Sequence, residues 1–237
     1  MKPINMRMKI KAISFDVDMT LWDFEKALRH SLSLVLEELR RRIPGRITDA
    51  LTIDKMIEIR KSAFSELQGK AANLEIMRFE AFRKTLEFIG CSDDRLATDL
   101  NALYLNHRFE GTELYPDVIP VIDMLRADYV IGLLSNGNGY PQGCGLSDRF
   151  DFVILSDNVR VMKPNALIFD EACNQVGCNP RELMHIGDSL EMDVAGANGA
   201  GAVSVWLNRK ADLNNTAIKP AYEIKRLSEL TNILKKG

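Results

Sequence analysis

Five short runs in this chain read as strands buried in a core, and their placement is lopsided. One, KIKAISFD, occupies residues 9–16; the others, YVIGLLSNG (129–137), FDFVILSD (150–157), ELMHIGDS (182–189) and AVSVWLN (202–208), come only in the second half. Apolar runs this short, bounded by turn residues, fit strands covered on both faces. Helical stretches such as ALIFDEACNQVG and EMDVAGANGAG separate the later runs. Strands that alternate with helices build a mostly parallel sheet with helices on both sides. The chain between the first strand and the rest has another texture. FEKALRHSLSLVLEELRRR, IDKMIEIRKSAFSEL, LEIMRFEAFRKTLEFIG and DDRLATDLNALYLNHRF carry apolar residues at helical steps, with Pro44, Gly45, Gly69 and Gly90 near their breaks. The expected fold is therefore α/β: a Rossmann-like, mostly parallel sheet over residues 1–21 and 112–237, with a helical bundle of residues 22–111 inserted after the first strand.

A chain of 237 residues with 46% hydrophobic content can bury a real core. Its 31 basic and 33 acidic residues give a net charge of −2, no footprint for nucleic acid or an anionic membrane. The basic N-terminus has too short an apolar stretch for a signal peptide. No other stretch reaches the ~18 apolar residues of a membrane span. Cys91, Cys144, Cys173 and Cys178 lack close C-x-x-C spacing and read as free thiols. A cytoplasmic location is expected.

Ligands of an open parallel sheet sit at the carboxyl ends of its strands. Here the first run ends in Asp16 and Asp18, on one side of an extended segment, with Thr20 two further on. The second ends in Ser135 and Asn136; the fourth in Asp188, with Asp193 five residues later; Lys163 precedes the helix that follows the third. Acids, hydroxyls and one lysine at a single edge suit phosphoryl transfer. Asp16 and Asp188 can hold a hard cation such as Mg²⁺ through oxygen, and the metal and Lys163 would neutralise a phosphate. Asp16 would attack phosphorus to form an aspartyl-phosphate, while Asp18 protonates the leaving oxygen and then activates water. The expected substrate-binding groups are Thr20, Ser135, Asn136 and Lys163.

In order and spacing, these residues resemble the haloacid dehalogenase superfamily of hydrolases. DVDMT is similar to its D-x-D-x-T motif, Ser135 in LLSNG to its second motif, Lys163 in MKPNALIF to its third and GDSLEMD to its fourth. The resemblance implies Asp16 as nucleophile, Asp18 as acid/base whose backbone carbonyl also reaches the metal, Asp188 as metal carboxylate and Asp193 as an outer group or lysine partner. It makes the helical insert a cap that closes over the site and contacts the leaving group. The implied substrate is a small phosphorylated metabolite. Two features depart from the pattern. Met19 stands where many phosphatase members carry glycine, implying less room or a different backbone angle, and NGNGYPQGCGLSD is glycine-rich where relatives more often begin a helix. A 2-haloacid dehalogenase, which needs neither metal nor proton donor, and a phosphosugar mutase share the same nucleophile and stay open. A receiver-like phospho-acceptor module gathers similar residues, but in about half this length and without an insert. His30, His107 and His185 read as ordinary core or surface histidines, Trp22, Phe24 and Tyr140 as packing, and RRRIPGR as a solvated helix end.

Overall fold

The computed structural model describes residues 9–67, 74–110, 112–137, 139 and 145–235. Cys144, Tyr140 and most of the glycine-rich 137–145 segment lie outside the described residues. The chain divides into two compact units, Met1–Asp23 with Glu113–Gly237, and Phe24–Thr112.

Strand β1 (Ala12–Phe15) opens the first unit, and the chain then enters the helical unit through α1 (Phe24–Arg42). There follow α2 (Arg46–Ala50), α3 (Ile53–Leu67), α4 (Leu74–Phe88) and α5 (Asp94–His107). The three- and four-residue apolar steps of α1 become a buried stripe of Leu28, Leu32, Val35, Leu36 and Leu39. That stripe packs with Leu51, Met56, Phe82, Leu86, Leu96, Leu100 and Tyr104 in the unit's own core. Each leucine so buried contributes roughly 1.5–3 kcal/mol, which is what holds helices of mixed composition together. The Asp93 side chain starts α5 by accepting a hydrogen bond from Leu96 N at 2.9 Å. At its far end α1 terminates in exposed Arg41 and Arg42, both paired with Glu38.

On return to the first unit the order is α6 (Val118–Leu125), β2 (Val130–Ser135), β3 (Phe152–Leu155), α7 (Ser156–Val159), α8 (Ala166–Val176), β4 (Leu183–Gly187), α9 (Ala195–Ala200), β5 (Val203–Leu207), β6 (Tyr222–Ile224) and α10 (Leu230–Leu234). The six strands form one sheet in the order β3-β2-β1-β4-β5-β6, and every pairing is parallel. Strand order reverses at β1, whose neighbours are β2 and β4, so the crevice beyond its carboxyl end is the switch point where such sheets bind ligands. β1 and β4 are wholly buried, which is why their sequences read as continuous apolar runs. No apolar run marks β6, which is three residues long with Tyr222 and Glu223 exposed. EMDVAGANGAG also divides, into a widened turn at Leu190–Val194 and the short α9, which stops at Gly201 with φ 78°.

Candidate active site

Past Phe15 the chain stays in the sheet for one more residue, Asp16 N donating to Ile186 O at 2.8 Å, and then turns. Thr20 N and Leu21 N both return to Val17 O, closing a tight loop. Met19 sits at its apex with φ 61°, the left-handed backbone that a glycine adopts freely. The missing glycine has thus altered the side chain at this position and left the left-handed angle in place. Trp22 Nε1 donates to Asp18 Oδ1 at 2.9 Å, so the buried indole orients that carboxylate. Thr20 is fully buried, its Oγ1 has no hydrogen-bond partner among the described residues, and its carbonyl accepts from Arg209 at 3.0 Å.

Lys163 reaches the same edge from the segment ahead of α8. Its ammonium, 1% exposed, donates to Asp16 Oδ1 at 2.6 Å, Asp193 Oδ1 at 2.6 Å and Leu134 O at 2.8 Å. An ammonium has three N–H bonds, and all three have protein acceptors. Asn136, expected to bind substrate, instead clamps the lysine's backbone: its Nδ2 donates to Lys163 O at 2.9 Å and its Oδ1 accepts from Lys163 N at 2.6 Å. The side chain thus positions the Lys163 backbone. Ser135 closes β2 and accepts from Gly137 N at 2.9 Å through its Oγ, leaving the hydroxyl proton for another acceptor.

Asp193 belongs to the turn after β4, yet it folds back over the strand. Its Oδ1 accepts from Lys163 Nζ and from His185 Nε2 at 3.1 Å, and its Oδ2 accepts from Ser189 N at 3.0 Å. The space it fills exists because residue 187 is glycine: a Cβ there would stand 2.1 Å from Asp193 Cγ.

Carboxylates outnumber the one ammonium. Single oxygens of Asp16, Asp188 and Asp193 lie within 4.8 Å of one another. Burial pushes the Asp16 carboxyl well up, the Lys163 ammonium pulls against it, and the charges of Asp193, Asp188 and Asp18 add to the upward push. Asp188 is pushed up to about 7, first by burial and then by Asp193. Asp193 goes the other way, since Lys163 and His185 outweigh its burial. Burial acts downward on Lys163, and Asp16 and Asp193 more than reverse it. Two carboxyls raised beside a third that is satisfied leave a site short of positive charge. An oxygen-rich donor set of this kind fits a hard divalent cation. Both oxygens of Asp193 already have donors, so Asp16 and Asp188 are the side chains with capacity to hold one.

Of the residues singled out from sequence, Asp16, Lys163, Asp188 and Asp193 lie together. Asp18 stands close enough to shift Asp16 and Asp188. Sequence reasoning missed His185, Gly187, the hold of Trp22 on Asp18, and Arg209, which pairs with Asp117 at 3.0 Å and stacks on Tyr115. A histidine inside an otherwise apolar strand, two positions before a glycine, was the available signal for the first two. A second concavity, inside the helical unit and lined by Leu32, Met56, Arg60, Arg78, Phe82 and Tyr104, is overwhelmingly apolar and carries none of the motifs.

The fold and site are those of an α/β protein whose parallel sheet gathers carboxylates and a shared lysine at its switch point. The model of the haloacid dehalogenase-like hydrolases matches residues 10–201, and the chain belongs to that family. It is 31% identical over 237 residues to the glyceraldehyde 3-phosphate phosphatase of Methanopyrus kandleri, covering 95% of this chain and 97% of that protein. Among solved structures, a 2-haloacid dehalogenase from Pseudomonas syringae superposes with a TM-score of 0.77 at 27% identity, over 96% of this chain and 99% of that one. A HAD-hydrolase of Bacillus subtilis, YfnB, described as bound to magnesium with interdomain movement, gives 0.80 at 26% identity, over 95% and 99%. No helix among the described residues is long and apolar enough to cross a membrane.

Proposed function

We propose that the protein is a Mg²⁺-dependent phosphatase that hydrolyses a small phosphorylated metabolite through an aspartyl-phosphate on Asp16. The observation that carries this reading is the Lys163 ammonium held between Asp16 and Asp193 beside a further carboxylate, Asp188. Asp16 attacks phosphorus as the bond to the leaving oxygen breaks, and Asp18 gives that oxygen a proton. Asp18, now basic, takes a proton from water, which attacks phosphorus, releases phosphate and frees Asp16. Lys163 aims the Asp16 oxygen and neutralises charge from behind, while the Ser135 hydroxyl donates to a phosphate oxygen. The Asp16 and Asp188 carboxylates and the Asp18 carbonyl would hold Mg²⁺, which when bound offsets the charge of the phosphate dianion. The phosphatase relative and the magnesium-bound structural neighbour support the reading. The helical unit is read as the cap that contacts the leaving group, in keeping with the interdomain movement described for YfnB.

Likeness to a solved 2-haloacid dehalogenase favours displacement at carbon as the second reading. Halide leaves without a proton or a metal, so that chemistry gives no work to Asp18 or to Asp188. Turnover of p-nitrophenyl phosphate with and without Mg²⁺, compared with Asp16→Asn, tests the choice. Hydrolysis that needs the metal and vanishes in the variant is expected. Equal turnover by Asp16→Asn, or metal-free halide release from 2-chloropropionate, would overturn it.

A further inference from the structure

We propose that His185, seated on Ser14, is a positioning residue of this site: it fixes the Asp193 carboxylate in the orientation that lets Asp193 and Asp16 share the Lys163 ammonium. The functional consequence rests on the phosphatase reading; the seat itself rests on sheet geometry.

β1 and β4 pair in parallel with Ser14 opposite His185, so two polar side chains meet across strands that are otherwise apolar or glycine. Both are buried, at 0% and 1% exposure, where polar groups require partners. Ser14 Oγ lies 2.8 Å from His185 Nδ1, and His185 Nε2 lies 3.1 Å from Asp193 Oδ1. An ionised carboxylate only accepts, so the proton between His185 and Asp193 belongs to Nε2. Nδ1 is then the acceptor and the Ser14 hydroxyl its donor. The chain of bonds has one direction, Ser14 to His185 to Asp193. Phe169 packs edge-on against the imidazole at 5.1 Å and fixes the plane of the ring. Burial favours the neutral imidazole that this arrangement requires.

Alternate residues of a strand share a face. Asp16 therefore follows Ser14 on its side of β1, and Gly187 follows His185 on β4. The missing side chain at Gly187 leaves the gap that Asp193 occupies. Remove the imidazole N–H, and Asp193 keeps Lys163 on one oxygen and Ser189 N on the other, two donors in place of three, so the plane of the carboxylate is less closely fixed. Lys163 is then held less firmly in its aim at Asp16. The serine matters because it sets the tautomer. Without its proton on Nδ1, the ring can carry the hydrogen there and present a lone pair to the Asp193 carboxylate.

Three single variants, one double variant and imidazole ¹⁵N spectra test the proposal. Turnover of p-nitrophenyl phosphate with Mg²⁺ is measured per folded molecule, beside the thermal midpoint. H185F should lose roughly 10- to 100-fold in kcat, the usual scale for groups that orient a site's ligands. H185Q, whose amide nitrogen reaches toward the place of Nε2, should recover most of that loss. S14A should be intermediate alone and without further effect in the H185Q background, because an amide has no tautomer to set. A merely structural histidine predicts the same activity per folded molecule in all variants, whatever their midpoints, and that result overturns the proposal. Imidazole ¹⁵N shifts of the wild-type protein should report a neutral ring protonated at Nε2, and S14A should shift them. An Nδ1–H ring or an imidazolium would overturn the seat. Wild-type protein inert toward the ester would sink the phosphatase reading instead, with the spectrum still deciding the seat.

Discussion

One methyl group is enough to probe how closely the acids are packed. In Gly187→Ala the new Cβ would stand 2.1 Å from Asp193 Cγ, so the carboxylate must leave its place over β4. Destabilisation of about 1–3 kcal/mol, the usual result of overpacking, should accompany loss of turnover. Gly199→Ala, with nothing within 4 Å of the added carbon, is the control and should leave the thermal midpoint unlowered. The same neighbourhood sets a pH dependence of stability. Burial holds the His185 imidazole below its ordinary pKa, so between the folded value and about 6.5 the unfolded chain binds the extra proton. Stability contributed by the neutral ring is complete above that upper limit and declines as the pH falls through the window, by at most ~1.4 kcal/mol per unit for one group. Thermal midpoints of wild type and H185Q, followed on acidification, should converge; parallel curves would refute the linkage. Asp16, Lys163, Asp188 and Asp193 were legible because their chemistry stands at strand ends in a fixed order. His185 and Gly187 were not, since one is seated on a partner 171 positions away and the other acts through the side chain it lacks. For Asn136 the residue type suggested hydrogen bonding, but only coordinates reveal that both ends of the amide grip the Lys163 backbone.

Helices and strands were legible in proportion to the length of pattern they offer. The stripe of α1 runs from Leu28 to Leu39, roughly three turns of consistent spacing, and its buried residues are those the spacing selects. β6 has three residues and an exposed face, too little for any periodicity to register. The segment after β4 looked like one helix, because its composition does not disclose that Ser189 accepts from Met192 N while Asp193 turns back to Ser189 N. Helix α5 permits a test at this scale. Its first turn depends on the Asp93 carboxylate bonded to Leu96 N, so Asp93→Ala should cost about 1 kcal/mol. Denaturant unfolding reads that loss, and turnover of the folded enzyme should not change.

Across the whole molecule, the decisive clue was the distance in sequence between the first strand and the other four; that β1 would lie at the centre of the sheet needed the structure. The segments flanking the helical unit lie side by side in the first unit: Tyr115 N donates to Leu21 O at 3.0 Å, and Trp22 bridges Leu114. Arg209 fastens both, through Thr20 O and Asp117. A chain in which residues 24–112 are replaced by a short Gly-Ser linker should therefore keep its parallel sheet and melt cooperatively, with circular dichroism reporting less helix. A molten or unfolded product would mean that the sheet needs the helices to assemble. Once those flanking segments are joined, whatever hangs from them is a passenger whose size hardly matters to the host, since closure entropy grows by only ~0.6 kcal/mol for each doubling of loop length. Over evolutionary time, such a chain can exchange one passenger for another while the parallel sheet and the acidic edge at its switch point stay as they are.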